Sequence, residues 1–212
     1  MGRDSRGVST VVGATLLFAI LVILLSIYQA QAIPNQNQAI EFQHSEQVQD
    51  QFEKVQNALL ETAADGTAHS VSVDLGTRYP TRVIGINPAS PTGTLKTDAM
   101  GSPSAVTVAN VEATDEEAAD FWDGTSQDFP TAGFVYRPHY NYLDNPPETQ
   151  YENTAAFNSF NNATLGLTSQ VLVRGDTITI ISLNGSYFRN GVGTATVDFE
   201  AISAPYEPIQ VR

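Results

Sequence analysis

Residues able to do chemistry are thinly spread along this chain. The three histidines, His44, His69 and His139, stand far apart and in no metal-ligand spacing, so each reads as incidental. Asp115, Glu116 and Glu117, with Asp120 and Asp123 close by, could gather a cation, but their spacing is not that of an EF-hand loop. With Thr114 as cap, the three fall better in the first turn of a short helix over 115–122. The absence of cysteine removes thiol catalysis, Cys-ligated zinc and iron–sulfur centres. There is no G-x-S-x-G elbow, P-loop or H-E-x-x-H. Carboxylate pairs for glycoside hydrolysis can be assembled anywhere in so acidic a chain, so they select nothing. The expectation is a protein that is not an enzyme and uses no cofactor or metal.

Binding chemistry is what these residues leave. Trp122, Phe134, Tyr136, Tyr140 and Tyr142 could form a surface for stacking sugars or seating a partner. The competing reading is that they pin loops to a core. Asn162-Ala163-Thr164 and Asn184-Gly185-Ser186 are sequons at expected turns, which makes Asn162 and Asn184 candidate glycosylation sites. Arg174-Gly175-Asp176 reads as a glycine turn between strands rather than an adhesion motif.

The elements that must carry these residues begin with one apolar run over 8–28. Between Val11 and Leu25 its only polar side chain is Thr15. Twenty-one residues of helix at about 1.5 Å each span roughly 31 Å, the thickness of a bilayer's hydrocarbon core. Lipid offers no partner to backbone polar groups, so such a run crosses as a helix. Arg3 and Arg6 precede it and the next Lys or Arg is Lys54, which predicts a cytoplasmic N-terminus and an outward C-terminal region. Ala30-Gln31-Ala32 keeps open a second reading, removal of the whole run as a signal sequence, although the run is longer than a signal's usual core.

Arg6-Gly7-Val8-Ser9, followed at once by this run, resembles the N-terminus of archaeal type IV pilin-like proteins. The resemblance covers about the first 28 residues. It implies cleavage between Gly7 and Val8 by a prepilin peptidase, a mature chain that opens on the apolar helix, and assembly with copies of itself or other pilins. Ser9, Gly13 and Ala14 are small enough to let such helices approach closely. Two departures stand out. Many haloarchaeal relatives have Ser-Pro where this chain has Ser9-Thr10, and Val12 replaces the acidic residue that bacterial members carry.

Beyond the run, Pro34 and the polar tract Asn35–Gln38 predict a break over 30–38. Helical periodicity then resumes, with Ile40, Val48, Phe52, Val55 and Leu59 on one face and Gln43, Gln47, Gln51, Glu53 and Lys54 elsewhere. Asp65-Gly66 should close this stalk helix. Its stripe needs a partner, either the domain that follows or the same helix of neighbouring subunits. After Gly66 the period falls to two, and strands are expected at 69–74, 81–86, 105–111, 170–173, 177–181 and 194–199. The stretch 124–153, rich in Tyr, Asn and Pro, reads as long surface loops.

The 212 residues carry 23 acidic and 10 basic side chains, a formal charge of −13, and lysine occurs only at Lys54 and Lys96. So acidic a surface repels nucleic acid. It also resembles the surfaces of halophilic proteins.

The expected fold class is α+β: a leader at 1–7, a transmembrane helix at 8–32, a linker and stalk at 33–66, and at 67–212 a mainly antiparallel β-sandwich or partly open barrel. The expected function is an outward-facing, membrane-anchored, pilin-like surface protein, possible as a minor subunit of a filament. Two alternatives stand beside it: a permanently anchored ectodomain that binds a glycan or protein, and an anchored hydrolase.

Overall fold

The computed structural model describes residues 6–98, 105–113, 119, 122, 124–175 and 177–202. It opens on α1 (Arg6–Ile27), continues through one π-helical turn (Tyr28–Ala32) and runs on as α2 (Ile33–Asp65). The break expected over 30–38 is not there. Ile33 donates its backbone N–H to the Tyr28 carbonyl five residues back. The wider turn places Pro34 at the very start of α2, where a missing N–H is tolerated. Gly66, at φ 71°, ends α2 with its N–H on the Thr62 carbonyl at 3.0 Å, the stop expected at Asp65-Gly66.

From Thr10 to Ile27 every residue of α1 is exposed. Its two deeper hydroxyls are tied to their own helix: Thr15 Oγ1 donates to the Val11 carbonyl and Ser26 Oγ to the Val22 carbonyl, each at 2.8 Å. The helix therefore presents hydrocarbon on all sides. It is long and apolar enough to cross a membrane.

The strands follow. The ribbon of β1 (His69–Asp74) and β12 (Thr194–Phe199) pairs antiparallel from His69↔Phe199 to Asp74↔Thr194. A six-stranded sheet is built from β2 (Thr92–Asp98), β5 (Gly133–His139), β6 (Glu148–Glu152), β7 (Ala155–Ser159), β8 (Thr164–Gly166) and β11 (Phe188–Gly191). Its order is β11-β2-β5-β6-β7-β8, with every neighbour antiparallel. Two short pairs complete the described strands: β3 (Ala105–Val108) with β4 (Gln127–Pro130), and β9 (Val173–Arg174) with β10 (Thr177–Ile178). The fold is α+β, an apolar helix followed by an antiparallel sheet domain.

One core lies between α2, the ribbon and the inner face of the large sheet. Val48, Phe52, Val55, Ala58 and Leu59 of α2 meet Val71 and Val73 of β1, Val197 and Phe199 of β12, and Leu95, Phe134, Tyr136 and Tyr151 of the sheet. Phe52 stacks on Phe134 with ring centroids 5.9 Å apart. The stalk is thus packed on its own domain, and a boundary drawn at 66/67 would cut through this core. Gly93 of β2 is obligatory here: a Cβ would lie 2.3 Å from the Leu75 carbonyl and 2.5 Å from the Tyr136 ring.

Several strand expectations need correction. Residues 81–86 form a loop. Residues 170–173 and 177–181 shrink to two-residue rungs about Gly175 (φ 63°), and 105–111 stops at Val108. The stretch 124–153, expected as loops, supplies β4, β5 and β6, the middle of the molecule. The helix expected over 115–122 and the acidic group Asp115, Glu116, Glu117, Asp120 and Asp123 lie outside the described residues, apart from positions 119 and 122.

Candidate functional site at the helix–domain junction

The buried face of α2 does not stop at its apolar residues. Ile33, Asn37, Glu41, His44, Val48, Phe52, Val55, Leu59 and Thr62 are all buried, at steps of three and four along the whole helix. The upper half of this stripe is polar. Two loops close over it, one between β1 and β2 (75–91) and one between β5 and β6 (140–147).

Glu41 is fully buried and its carboxylate is saturated with donors. Oε1 accepts from the Asn141 N–H at 2.8 Å and from the Tyr79 hydroxyl. Oε2 accepts from the Tyr142 N–H at 2.8 Å and the Leu143 N–H at 2.7 Å. Three consecutive backbone amides converge on one carboxylate, a nest that holds the 140–147 loop to the helix. Asn141 Nδ2 then donates to the Tyr79 oxygen and to the Ala89 carbonyl, both at 2.9 Å, joining the second loop to the first. Burial, reinforced by the bond to Glu41, raises the pKa of Tyr79 well above the usual phenol range.

A guanidinium clamp lies one turn nearer α1. Arg82 donates from Nη1 to Gln36 at 2.6 Å, from Nη2 to Asn37 at 2.9 Å and from Nε to Asn87 at 2.8 Å. Two turns further still, Gln29 in the π turn pairs with Ile86 as a strand would: Nε2 donates to the Ile86 carbonyl and Oε1 accepts the Ile86 N–H, each at 2.9 Å. On the other side, Nδ1 of His44 bonds the Tyr140 hydroxyl at 2.7 Å, while Nε2 has no hydrogen-bond partner. Burial lowers the His44 pKa, an effect that Asp74 partly offsets. Gln47 and Gln51 reach Asp74 Oδ2 at 2.7 and 3.0 Å, which fixes β1 to the helix.

These groups position rather than react. The carboxylate is fully engaged, and no group of three or more His, Asp or Glu among the described residues could hold a metal ion. His69 lies beside Glu61 and Asp65, 3.5 Å from each, and His139 bonds Thr94 at 3.2 Å, both away from His44.

The aromatic candidates do not converge on an open surface. Tyr136 is 1% exposed and belongs to the core, with its hydroxyl on the Leu75 carbonyl at 2.9 Å. Phe134 is equally buried. Trp122 is buried and donates its indole N–H to the Val111 carbonyl at 2.8 Å. Tyr140 packs edge-on against His44, and Tyr142 lies against Tyr79 with centroids 6.2 Å apart. These two are loop anchors at the junction. Asn162 and Asn184 are exposed, the former in the turn between β7 and β8. Gly13 has open space around it, and the surroundings of Gly7 and the side chains of Val8 and Ser9 lie outside the described set, although the backbone there is helical. Of the tripeptide 174–176, Asp176 is not described.

Sequence reasoning missed Asn37, Glu41, Arg82 and Gln29. A signal existed: Asn37, Glu41 and His44 continue the Val48–Leu59 stripe in the same register, and only their polarity concealed it. Ile40, placed on the stripe, lies beside it, and Gln51, placed outside, is buried.

A protein of Archaeoglobus fulgidus described only as uncharacterized is 27% identical over 184 residues, which is 87% of this chain and 30% of that relative. The chain thus spans under a third of that protein's length. No family profile and no solved structure matches the chain.

Proposed function

We propose that this chain is an outward-facing, membrane-anchored, pilin-like surface protein, a minor subunit of a type IV pilus-like filament. The observation that carries the reading is the uninterrupted helix from Arg6 to Asp65, bare and apolar in its first half and built into the domain core in its second. A subunit that leaves a bilayer for a filament must transmit force from its membrane segment to its outer domain. A hinge at Pro34 would dissipate that force, whereas the Gln29–Ile86 pair on one side of it and the Arg82 and Glu41 clamps on the other tie the helix to the domain. The bare helix supplies the surface that lipid covers first and neighbouring copies cover later, with Ser9, Gly13 and Ala14 allowing close approach. The positive-inside rule, read from Arg3 and Arg6, supports a cytoplasmic N-terminus in this reading. In this reading the exposed Asn162 and Asn184 are available to carry glycans, and the acidic surface suits a salt-rich exterior.

Intact-mass measurement of the native protein tests the reading. A mature N-terminus at Val8, abolished by Gly7→Phe, is expected from a prepilin peptidase. Retention of Arg3 and Arg6 would favour the permanently anchored ectodomain instead. A chain that begins after Ala32 would make it a secreted domain.

A further inference from the structure

The 81–86 segment has the composition of a strand but joins no sheet. Val83 is 102% exposed, Ile86 78% and Ile84 60%. These side chains are not at the tip of a loose loop. Gly85 (φ 104°) is pressed so closely on the helix that a Cβ would lie 2.4 Å from Ile33 Cδ1. The Gln29 side-chain amide grips the Ile86 backbone through two hydrogen bonds of 2.9 Å, and Arg82 is held on three sides. The chain thus presents three aliphatic side chains to the outside on a fastened backbone. An ordered apolar patch of this kind needs something to cover it.

Position identifies the cover. The loop descends beside the last turns of α1, leaving a groove with Leu21, Leu24 and Leu25 on one wall and Val83 and Ile84 on the other. Leu21 lies seven residues before Tyr28, about 10 Å along the helix. The loop therefore reaches as far along the axis as the outer turns of the segment that is itself bare hydrocarbon. Whatever solvates Leu21 to Leu25 also meets Val83 and Ile84.

We infer that residues 83–86 form a wedge that enters the outer leaflet beside the membrane helix, with acyl chains filling the groove and Arg82 and Tyr28 at headgroup level. This rests on the membrane reading above. The wedge gives the domain a second attachment and limits its tilt on the bilayer, because leaning the helix and its fastened loop away from the lipid on that side would lift Val83 and Ile84 out of it.

The natural absence of cysteine allows single probes to be placed cleanly. Full-length Phe18→Cys, Val83→Cys and Glu61→Cys chains, each labelled with an environment-sensitive fluorophore, are reconstituted in phosphatidylcholine vesicles that carry nitroxides at shallow or deep acyl positions. Glu61 is the distant control, at the far end of α2. The probe at 83 should be blue-shifted and quenched at least twofold more by the shallow nitroxide than by the deep one. The probe at 18 should show the reverse preference, and the probe at 61 neither effect. If 18 is quenched while 83 behaves like 61, the wedge is wrong and the membrane helix stands. If 83 is blue-shifted but unquenched by either nitroxide, protein covers the loop and the lipid assignment fails. If 18 is unquenched, the membrane reading fails and the wedge with it.

Discussion

Glu41→Ala would leave the backbone amides of 141–143 buried without an acceptor, and the Tyr79 hydroxyl with them. Bonds to a charged acceptor contribute about 1.5–3 kcal/mol each, and orphaned donors add their own desolvation cost, so a loss of about 3 kcal/mol or more is expected. For a chain of this size that corresponds to a fall of about 6–12 °C in melting temperature. A change within a degree of wild type would mean that the nest is ornamental. His44 makes a second residue-scale prediction. Its folded pKa lies below the unfolded value of 6.5 because burial disfavours the charged ring. The unfolded chain therefore binds the extra proton first, so this contribution is intact above about pH 6.5 and is lost progressively as pH falls from there towards the lower folded value. Unfolding measured from pH 7.5 to 5 should show the decline in wild type and a flatter profile in His44→Gln. Equal slopes would dissociate the effect from this ring. None of this was visible in residue types alone. A Glu, a His and an Asn on a helix read as solvated, because the loops that bury them lie about a hundred positions away at 140–143 and some fifty away at 79–91.

At the scale of elements, α2 is both stalk and core. A chain that begins at Thr67 loses Val48, Phe52, Val55, Ala58 and Leu59 from the cluster, whereas one that begins at Ile33 keeps them. The longer fragment should unfold cooperatively with a structured near-ultraviolet spectrum, and the shorter should not. Cooperative melting of 67–212 alone would refute the packing described. Within the longer form, Phe52→Ala should cost about 3–5 kcal/mol, read from the denaturation midpoint. The elements that sequence patterning reveals are those with one wet and one dry face. In β1 and β12, Val71, Val73, Ala195 and Val197 point inward while Ser70, Ser72, Thr196 and Asp198 pair across the outside. β5 and β6 hide because residues 133–136 are buried on both faces, and Thr149 and Asn158 fill core positions by bonding each other at 2.9 Å. The loop at 81–86 misleads for the opposite reason: its β-branched residues turn away from the protein. The break expected at Pro34 fails because a π turn absorbs the proline.

At the scale of the whole molecule, the charge of −13 repels itself at low ionic strength. Moving from dilute buffer to molar salt should raise the melting temperature, because screening removes part of that repulsion. A flat response would count against a surface adapted to salt. The reading proposed above requires the apolar helix and the sheet domain to be one rigid body joined through Tyr28–Ala32. Spin labels at Ile20→Cys and Lys54→Cys, in a chain with no other cysteine, measure this directly by pulsed dipolar spectroscopy of the reconstituted protein. Thirty-four residues of unbroken helix at about 1.5 Å each predict one narrow distance distribution centred near 50 Å. A broad distribution, or one shortened by 10 Å or more, would mean that the chain bends at Pro34 after all, and the rigid, pilin-like subunit proposed above would lose its foundation.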